Sequence, residues 1–312
     1  MAKDLLDEIH YLVEADDQAF IRKESSCAIQ NFIEHAEWLE FAGVGFGEQR
    51  TVLIQKSIQR LAKASGASKL KFFGKILCTE QDYFVAQGVL DEAEEDPITE
   101  SQEPRGKGVN ATVYWVTHDI RKDWIQLPDV LPEQIVASRL LKKMFTGNLN
   151  ATVFGFPGKE RNLLRAQLAR IQHATNIVPK GIFEMDEESG TMKYAEEQPD
   201  LNTEGLKSLE NWCSVDPIIL KVGRCTHQEP LHIPEEEREA YKEKMAEEDK
   251  TEEPLKAINE HTPVGKDPAW TVKTIGDTQT FNKPGGEGTI TYAINLIKSN
   301  RWPGHYTVAK NG

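Results

Sequence analysis

The chain has 312 residues and a formal net charge of −13, and 39% of its residues are hydrophobic. This length and composition allow one large domain or two smaller ones with a hydrophobic core. No stretch approaches 18 consecutive apolar residues, and the start, MAKDLLDEIHYLVEADD, is acidic where a secretory signal is basic and then apolar. We therefore expect neither a membrane span nor export. Four irregularly spaced cysteines favour reduced thiols in a cytosolic compartment over a disulfide framework: Cys27, Cys78, Cys213 and Cys225.

The negative charge is concentrated in three runs, at residues 91–103, 184–200 and 235–253. Their net charges are −7, −6 and −6, so the rest of the chain carries +6. Because such runs have little apolar surface to bury, we expect them to stay solvated. They either confer solubility or present negative charge to a basic partner, and the sequence leaves both roles open.

The first 66 residues are predicted to be helical. Three apolar stripes have helical spacing: Leu5, Ile9, Leu12 and Val13; Ile29, Phe32, Ile33 and Ala36; and Leu53, Ile54, Ile58 and Leu61, the last followed by Gly66 as a C-cap. The segment AGVGFGEQ, before the third stripe, lacks the preceding strand and the glycine spacing of a dinucleotide fingerprint. It is therefore predicted to be a turn between helices.

From residue 69 the pattern changes to short β-rich runs. The runs at 69–78, 82–90 and 109–117 predict an antiparallel meander. Two helices are expected next, one over PEQIVASRLLKKMFTG with Pro132 at its first position and Gly147 as its cap, and one over 159–172. A short helix, LKSLENW, is predicted at 206–212, and late strands are predicted at 275–281, 289–297 and 305–309.

These elements predict an α+β fold, with a helical N-terminal portion and a mixed, mainly antiparallel β body that carries packed helices and acidic loop insertions. The expected domain organisation has four parts: a helical N-terminal region at 1–66, an α/β body with acidic loops at 67–234, an acidic linker at 235–268, and a C-terminal β region packing on the body at 269–312.

The turn GFPGK at 155–159 stands directly before the helix predicted at 159–172 and invites comparison with a phosphate-binding loop. Such a loop needs G-x-x-x-x-G-K followed by Ser or Thr. Here only two residues separate Gly155 from Gly158, and Glu160 follows Lys159. A carboxylate at this position would repel phosphate, so an ordinary turn and helix start is favoured. A nucleotide-binding enzyme that uses this turn remains one alternative function.

Other clusters give weak signals of chemistry. Four soft ligands lie within twenty residues, but their spacing fits no standard zinc site: Cys213, Cys225, His227 and His232. The carboxylate pairs all lie in the acidic runs, where solvation does not raise the pKa of a general acid. We therefore predict no catalytic residue, no metal site and no cofactor-binding residue.

Six basic residues suggest a face that binds nucleic acid: Lys142, Lys143, Lys159, Arg161, Arg165 and Arg170. The neighbouring acidic runs would oppose phosphate. Structural arginines paired with the protein's own carboxylates are the favoured interpretation. A nucleic-acid adaptor with acidic loops is the second alternative function.

Longer motifs carry a more specific signal. LPDVLPEQIVASR, FTGNL, FPGKERNLLRAQLARI, LENW, GRCTH and SNRWPGHY occur in order from residue 127 to residue 306, after FAGVGFGE at 41–48 and KFFGKILC at 71–78. This set resembles the radial spoke head family of motile cilia and flagella, the paired fourth and sixth spoke proteins. The matching positions that we name as packing or assembly candidates are Arg165, Ala166, Gln167, Leu168, Arg170, Trp212, Gly223, Arg224, Cys225, Trp302, Pro303 and Gly304.

The resemblance implies a non-catalytic structural subunit of the radial spoke head, located in the cytoplasm and cytoskeleton, in the axoneme of the cilium or flagellum. Such a subunit would be needed for spoke-head assembly and for transmitting signals between the central pair and the dynein arms to regulate beating. The implied partners are a second copy or a paralogue, other spoke-head and stalk proteins, and central pair projections that would meet the acidic loops. No cofactor, nucleic acid or membrane is expected as a partner.

Overall fold

The computed structural model describes residues 27–90, 103–186, 192–197, 199, 205–216, 218–226, 234–248, 255–282 and 289–309. These residues form five α-helices: α1 Phe32–Phe41, α2 Glu48–Ser65, α3 Pro132–Leu140, α4 Glu160–Thr175 and α5 Glu235–Glu248. They also form four short 3-10 turns: Gly108–Asn110, Gly205–Lys207, Leu209–Asn211 and Ile258–Glu260. Within these ranges, no helix has the length and hydropathy that crossing a membrane requires. The apolar stripe predicted at residues 5–13 lies outside the described residues.

The same residues form fourteen strands: β1 Ala28–Ile29, β2 Ala67–Ile76, β3 Tyr83–Leu90, β4 Val113–Thr117, β5 Ile125–Gln126, β6 Ile177–Pro179, β7 Phe183–Met185, β8 Met192–Tyr194, β9 Trp212–Ser214, β10 Trp270–Ile275, β11 Thr280–Asn282, β12 Thr289–Thr291, β13 Ile294–Ser299 and β14 Tyr306–Ala309. The largest described sheet has the order β1-β2-β3-β4-β5, a second has the order β10-β13-β14, and the pairs β6-β9, β7-β8 and β11-β12 stand apart. All these strand pairs are antiparallel except β1 with β2. The predicted α+β class is confirmed.

The chain divides into two compact units. Unit 1 contains the described residues within Met1–Glu37, Phe46–Gln167 and Val222–Thr226. Unit 2 contains those within Trp38–Gly45, Leu168–Lys221 and His227–Gly312.

The core of unit 1 forms where helices cover one face of the five-stranded sheet. Leu53, Ile54, Ile58 and Leu61 of α2 are buried, as their spacing predicts, and they join one cluster with Phe32, Leu70 and Trp115 among others. Gly66 caps α2 in a left-handed conformation, also as predicted. The stripe from Ile29 to Ala36 is only partly helical. The α1 helix begins after Asn31, whose Oδ1 accepts a hydrogen bond from the Ile33 N–H, and Ile29 belongs to β1.

The predicted meander is confirmed as β2, β3 and β4. Its register pairs Phe84 with Thr117 and Gly88 with Val113, and every residue of β4 is buried. Because β4 is buried on both faces, its sequence is a nearly continuous apolar run and does not alternate between apolar and polar residues.

The helix predicted up to Gly147 is shorter than expected. It ends at Leu140, because Leu141 is extended, with φ of −93° and ψ of 119°. Gly147 is therefore not its cap. Gly147 has a φ of +98°, and a Cβ at this position would lie 2.4 Å from the carbonyl oxygen of Gln81. This residue is a glycine because it contacts another backbone, not because it terminates a helix.

Unit 2 is built around the three-stranded sheet. Its core contains Trp212, Ile258, Trp270 and Ile297. The short helix predicted at 206–212 is confirmed only in part: these residues form two 3-10 turns instead of one helix, and Trp212 begins β9, where it pairs with Pro179. Strand β10 was not predicted. The run at 275–281 is mostly a turn, with Ile275 ending β10 and Thr280 beginning β11.

The other two late strands and the third acidic run also differ in part from expectation. The run predicted at 289–297 is broken into β12 and β13, whereas the strand at 305–309 is confirmed as β14. Residues 235–248 of the third acidic run form α5 rather than a loop. Its described side chains are exposed or half-buried.

Candidate functional site

The N-terminus of α4, which follows the GFPGK turn, has little capacity left to bind an anion. The first N–H groups of the helix are already used: Glu160 donates to the carbonyl of Ala151 at 2.9 Å and Arg161 to that of Leu149 at 3.1 Å. Next in the chain, Asn162 donates to the carbonyl of Lys159 at 2.9 Å. A phosphate cradle depends on such N–H groups being available to the ligand. The turn is therefore a structural connection, as its spacing predicts.

Glu160 occupies the centre of a buried polar cluster. Its Oε2 accepts hydrogen bonds from the Thr146 backbone at 2.9 Å and the Thr146 hydroxyl at 2.8 Å. Its Oε1 accepts from the Gly147 N–H at 2.9 Å and the Tyr83 hydroxyl at 3.0 Å. The carboxylate thus ties the FTGNL motif and the start of β3 to α4, and it faces inward rather than toward a ligand.

Two groups near Glu160, the Tyr83 hydroxyl and the Cys78 thiol, keep their protons because their pKa values are raised. Burial, and then the nearby Glu160 carboxylate, raise the pKa of the Tyr83 hydroxyl, so this group stays a hydrogen-bond donor. Burial also raises the pKa of the neighbouring Cys78 thiol to about 11. A reactive cysteine needs a lowered pKa, so Cys78 does not have the environment of a nucleophile.

Arg165 is the second buried centre, and it lies one turn beyond Glu160 on α4. Its side chain is 1% exposed, and Nη2 donates to the carbonyl oxygens of Val109 at 2.9 Å and Thr112 at 3.0 Å. The guanidinium carbon lies 4.9 Å from the ring centroid of Tyr114. Burial lowers the pKa of this guanidinium from its ordinary value. The predicted pairing with a carboxylate is wrong for Arg165, since its hydrogen bonds go to carbonyl and amide oxygens.

Asn110 connects Arg165 to the surrounding loops. Its Oδ1 accepts from Arg165 Nη2 at 3.2 Å and from the Val130 N–H at 3.0 Å. Its Nδ2 donates to the carbonyl oxygens of Glu103 at 2.9 Å and Val130 at 3.1 Å. Every hydrogen-bonding position of the amide group is used inside the protein, as a fully buried side chain requires.

Glu103 holds the GRCTH segment in place. Its Oε1 accepts from the backbones of Cys225 at 3.0 Å and Thr226 at 2.9 Å and from the Thr226 hydroxyl at 2.8 Å. Its Oε2 accepts from the Val109 N–H at 2.8 Å. Glu103 is only 2% exposed. The expectation that the run at 91–103 stays solvated is therefore wrong for its last residue, which is buried and accepts hydrogen bonds from backbone N–H groups.

The other members of GRCTH are positioned by close packing. Gly223 has a φ of +89°, and a Cβ there would lie 2.3 Å from the carbonyl oxygen of Pro132, the first residue of α3. A larger residue would separate these two backbones. Arg224 is buried and Cys225 is half-buried. Arg165, Gly223, Arg224 and Cys225 are thus brought into one region of unit 1.

Three further candidates on α4 are buried or hydrogen-bonded within the protein. Ala166 and Leu168 are fully buried, and Gln167 donates from Nε2 to the carbonyl of Ser138 on α3 at 3.2 Å. Leu164 is also fully buried, whereas Ile171 is half-buried.

Five further candidates lie in unit 2. The Arg170 guanidinium carbon lies 5.2 Å from the ring centroid of Trp302. Pro303 and Gly304 follow in the exposed turn before β14. Trp212 is buried in the core, and its Nε1 donates to the carbonyl of Leu206 at 3.1 Å.

A cleft of about 660 Å³ in unit 1 is lined by charged residues, including Lys75, Asp82 and His118. Lys75 Nζ lies 2.7 Å from Asp82, and this hydrogen bond is the main cause that lowers the pKa of the carboxyl group. The His118 ring stacks at 4.7 Å from that of Tyr83. A general acid needs a raised pKa, so Asp82 lacks the property that acid catalysis would require.

Two of the four soft ligands considered for zinc, Cys213 and Cys225, lie within the described residues. No group of three or more potential metal ligands occurs among the residues that the structure describes. Cys213 is buried in β9, and the Cys225 backbone N–H donates to Glu103. His227 and His232 lie outside the described ranges, so the expected absence of a metal site remains a prediction.

Sequence reasoning missed three buried acceptors, Glu103, Asn110 and Glu160. Glu103 was hidden at the end of an acidic run, and Asn110 within a predicted strand. One signal was available for Glu103. It is followed by Pro104 and Arg105, where the acidic run ends and a turn begins.

Comparison with known proteins identifies the family of the chain. The sequence profile described as radial spokehead-like protein matches residues 7–104 and 95–312. The chain is 30% identical over 350 residues to human radial spoke head protein 4 homolog A, covering 94% of this chain and 47% of that protein. It is 28% identical to mouse radial spoke head protein 6 homolog A, covering 94% and 49% of the two chains. It is 32% identical to Chlamydomonas reinhardtii flagellar radial spoke protein 4, covering 88% and 63%. The chain thus spans about half to just under two thirds of the length of these relatives, and it belongs to the radial spokehead-like protein family.

Proposed function

We propose that this chain is a non-catalytic structural subunit of the radial spoke head, needed for spoke-head assembly and for transmitting signals between the central pair and the dynein arms. Membership of the family places the chain in the axonemal cytoskeleton of cilia and flagella and supports a structural role in the radial spoke. The assembly and signalling roles are the proposal.

The observation that carries the proposal is how the polar residues of the longest motif are used. Glu160 and Arg165, both in FPGKERNLLRAQLARI, are buried and hydrogen-bonded to other parts of unit 1. A catalytic motif directs its polar groups toward a cavity where a substrate can reach them. These groups instead hold loops together, which is what a rigid assembly subunit needs.

A nucleotide-binding enzyme is less well supported. Lys159 is exposed and the first N–H groups of α4 donate to carbonyl oxygens of the protein. A nucleic-acid adaptor is also less well supported, because Arg165 is buried and Arg170 lies against Trp302. Neither alternative accounts for the family match.

The partners of the subunit are part of the same proposal. We propose that it assembles with a second copy or a paralogue and with other spoke-head and stalk proteins. The acidic runs would meet basic projections of the central pair. Charges on exposed runs act over about 8 Å at physiological salt, so such contacts would form and release easily. That property suits a spoke head that touches a moving surface repeatedly.

The test is electron cryotomography of axonemes from ciliated cells that lack the protein, before and after rescue. We expect spokes without complete heads, and rescue by the wild-type chain. The Lys159→Ala variant should still restore complete heads, because one exposed lysine contributes little to the stability of the subunit. Complete heads in the absence of the protein would contradict the proposal. Saturable ATP binding by the purified chain that Lys159→Ala abolishes would favour the nucleotide-binding alternative.

A further inference from the structure

Unit 1 exposes large apolar side chains around the end of α3. Leu140 is 84% exposed, Phe154 96%, Leu77 66%, Met144 61% and Val136 39%. Isolated exposed apolar residues are ordinary, but a contiguous group of them marks an interaction site. We call these five residues the α3 surface.

Four of these residues form two neighbouring pairs, and Leu141 and Phe145, which follow Leu140 and Met144, pack against the same buried cluster. Val136 and Leu140 are four residues apart on α3, so their side chains lie on the same face of the helix. Beyond the helix, Cys78 forms a parallel β-bridge with Phe145, and the Thr79 N–H donates to the Phe145 carbonyl at 2.9 Å. The residues before this bridge, Leu77 and Met144, are therefore neighbours.

Phe154 is held near the same helix by the loop that carries it. The adjacent Val153 and Phe156 form a buried cluster against which Ala137 and Leu141 pack. Gln134 of α3 donates from Nε2 to the carbonyl of Pro157 at 3.2 Å. The loop is thus fixed along α3 while the Phe154 ring stays exposed to solvent.

The rim of the α3 surface is basic. Lys142 and Lys143 are exposed between Leu140 and Met144, and Lys159 is exposed beyond Phe154 on the same loop. Of the acids near these residues in the chain, Glu160 is buried and Asp82 is paired with Lys75. Two exposed acids remain: Glu133, at the start of α3, and Glu80, whose backbone N–H donates to Thr146. An apolar centre with a mainly basic rim is complementary to an apolar stripe flanked by acids.

We propose that the α3 surface binds an acidic amphipathic helix of another radial spoke protein. Helices that dock on a protein present side chains at intervals of three and four residues, which matches the ridge formed by Val136 and Leu140. A second copy of this chain docking by the same face would place Lys142, Lys143 and Lys159 against their own equivalents, and like charges oppose that arrangement. This inference rests on the proposed function, because it names the chemistry of one partner of the spoke-head subunit.

The test measures binding of a fluorescent synthetic helix to the full-length chain. The probe carries leucines at positions i, i+3, i+4 and i+7 with glutamates on both flanks, and the control peptide has lysines in place of the glutamates. We expect saturable binding of the acidic peptide that weakens as salt rises and that is at least about tenfold weaker for the charge-reversed peptide. Two variants, Leu140→Glu with Phe154→Ser and Lys142→Glu with Lys143→Glu, should each weaken binding about tenfold or more.

The matched control is Tyr292→Ser, which removes an exposed aromatic side chain in unit 2 and should leave binding unchanged. Circular dichroism melts confirm that each variant is folded. Four results would overturn the proposal: no saturable binding, equal binding of both peptides, binding of the chain to anionic phospholipid vesicles but not to the peptide, or dimerisation of the chain that Leu140→Glu abolishes. Binding that appears only after Leu5→Glu and Ile9→Glu would also overturn it, since the chain's own N-terminal segment would then be the occupant. Normal spoke heads with failed peptide binding would reject this inference and leave the proposed function standing.

Discussion

The hydroxyl of Tyr83 lies 3.0 Å from Oε1 of Glu160, although 77 residues separate them in the chain. The same carboxylate also accepts three hydrogen bonds from Thr146 and Gly147. A single side chain therefore joins the start of β3, the loop after α3 and the start of α4. The sequence feature that suggests a nucleotide site is instead a tie between three parts of unit 1.

Glu160→Gln should destabilise the protein strongly. The amide has one acceptor oxygen where the carboxylate has two, and its NH₂ group would face N–H and O–H donors. Leaving buried donors without an acceptor costs about 1–3 kcal/mol each, so we expect a loss of about 3 kcal/mol in the free energy of unfolding. Urea denaturation measures it. Lys159→Ala, one residue away and exposed, is the control and should change stability by less than about 0.5 kcal/mol. Equal stability of the two variants would show that Glu160 does not accept these buried hydrogen bonds in the folded protein.

Arg165→Lys should also be destabilising, although the charge is kept. Nη2 of Arg165 reaches three oxygen atoms while the planar guanidinium lies over the Tyr114 ring. An ammonium group cannot reproduce that planar fork. We expect a loss of about 2–4 kcal/mol in the free energy of unfolding. The exposed Arg161→Lys is the matched control on the same helix, and a comparable loss there would argue against a special role for Arg165.

Leu168→Ala and Ile171→Ala distinguish buried from half-buried positions on α4. Leu168 is fully buried, so its truncation should cost about 2–5 kcal/mol. Ile171 retains contact with solvent and should cost clearly less. Thermal melts of both variants give the comparison. An unchanged melting temperature for Leu168→Ala would reject the placement of this helix face in the core.

His305 should make the stability of unit 2 depend on pH. Burial lowers the pKa of His305 from 6.5 to about 4, and its ring lies edge-on to Trp270 with centroids 6.0 Å apart. Because the pKa is lower in the folded chain, the unfolded chain takes up the proton first as the pH falls. The stabilisation is complete above pH 6.5 and is lost progressively toward about pH 4, with a total on the order of 3 kcal/mol.

Nuclear magnetic resonance titration of the His305 ring and unfolding experiments at several pH values check this prediction. His305→Phe should remove this contribution to the pH dependence. A titration of His305 near pH 6.5 in the folded chain would contradict it.

Neutralising the acidic runs should have different effects at different residues. Asp→Asn and Glu→Gln changes across 91–100, 184–200 and 235–253 should leave the melting temperature nearly unchanged, since exposed charges contribute little to folding. If these runs meet the central pair, the beat waveform should change while the spokes remain present. Normal beating, with spokes confirmed present, would leave solubility as the better account of the runs.

Glu103→Gln is the matched comparison. It lies in the same sequence run but accepts four hydrogen bonds while buried. We therefore expect it to lower stability by about 2–3 kcal/mol. A melting temperature equal to that of the wild type would place Glu103 in solvent with its neighbours.

The parts of the fold that the sequence predicted well have regular periodicity. The buried stripe of α2 and the strands of the meander follow from spacing alone. The family resemblance could be recognised from the sequence because its motifs are long. In contrast, the role of Gly147 depends on a contact with Gln81, which is distant in sequence. Local patterns carry no information about such a partner.

The buried polar contacts were unpredictable for the same reason. Arg165 and Glu160 look like any charged residues on an amphipathic helix, and what distinguishes them is the set of atoms they reach at residues 83, 109–112 and 146–147. Their burial could be guessed only from their positions among Leu163, Leu164 and Ala166. A helix whose buried face includes an acid and an arginine has no simple signature in hydrophobic periodicity.

The hydrogen bonds from Cys225 and Thr226 to Glu103 span 122 and 123 residues of sequence. During synthesis at about 5–20 residues per second, Glu103 would emerge from the ribosome roughly 6 to 25 s before the last of these donors emerges. Its carboxylate must remain hydrated through that interval, and residues 103–167 can complete their native contacts only once the GRCTH segment has emerged. Ribosome-bound chains that stop short of residue 226 should therefore be incompletely folded in this region. The cell has to keep such chains from aggregating before the subunit can join an axoneme.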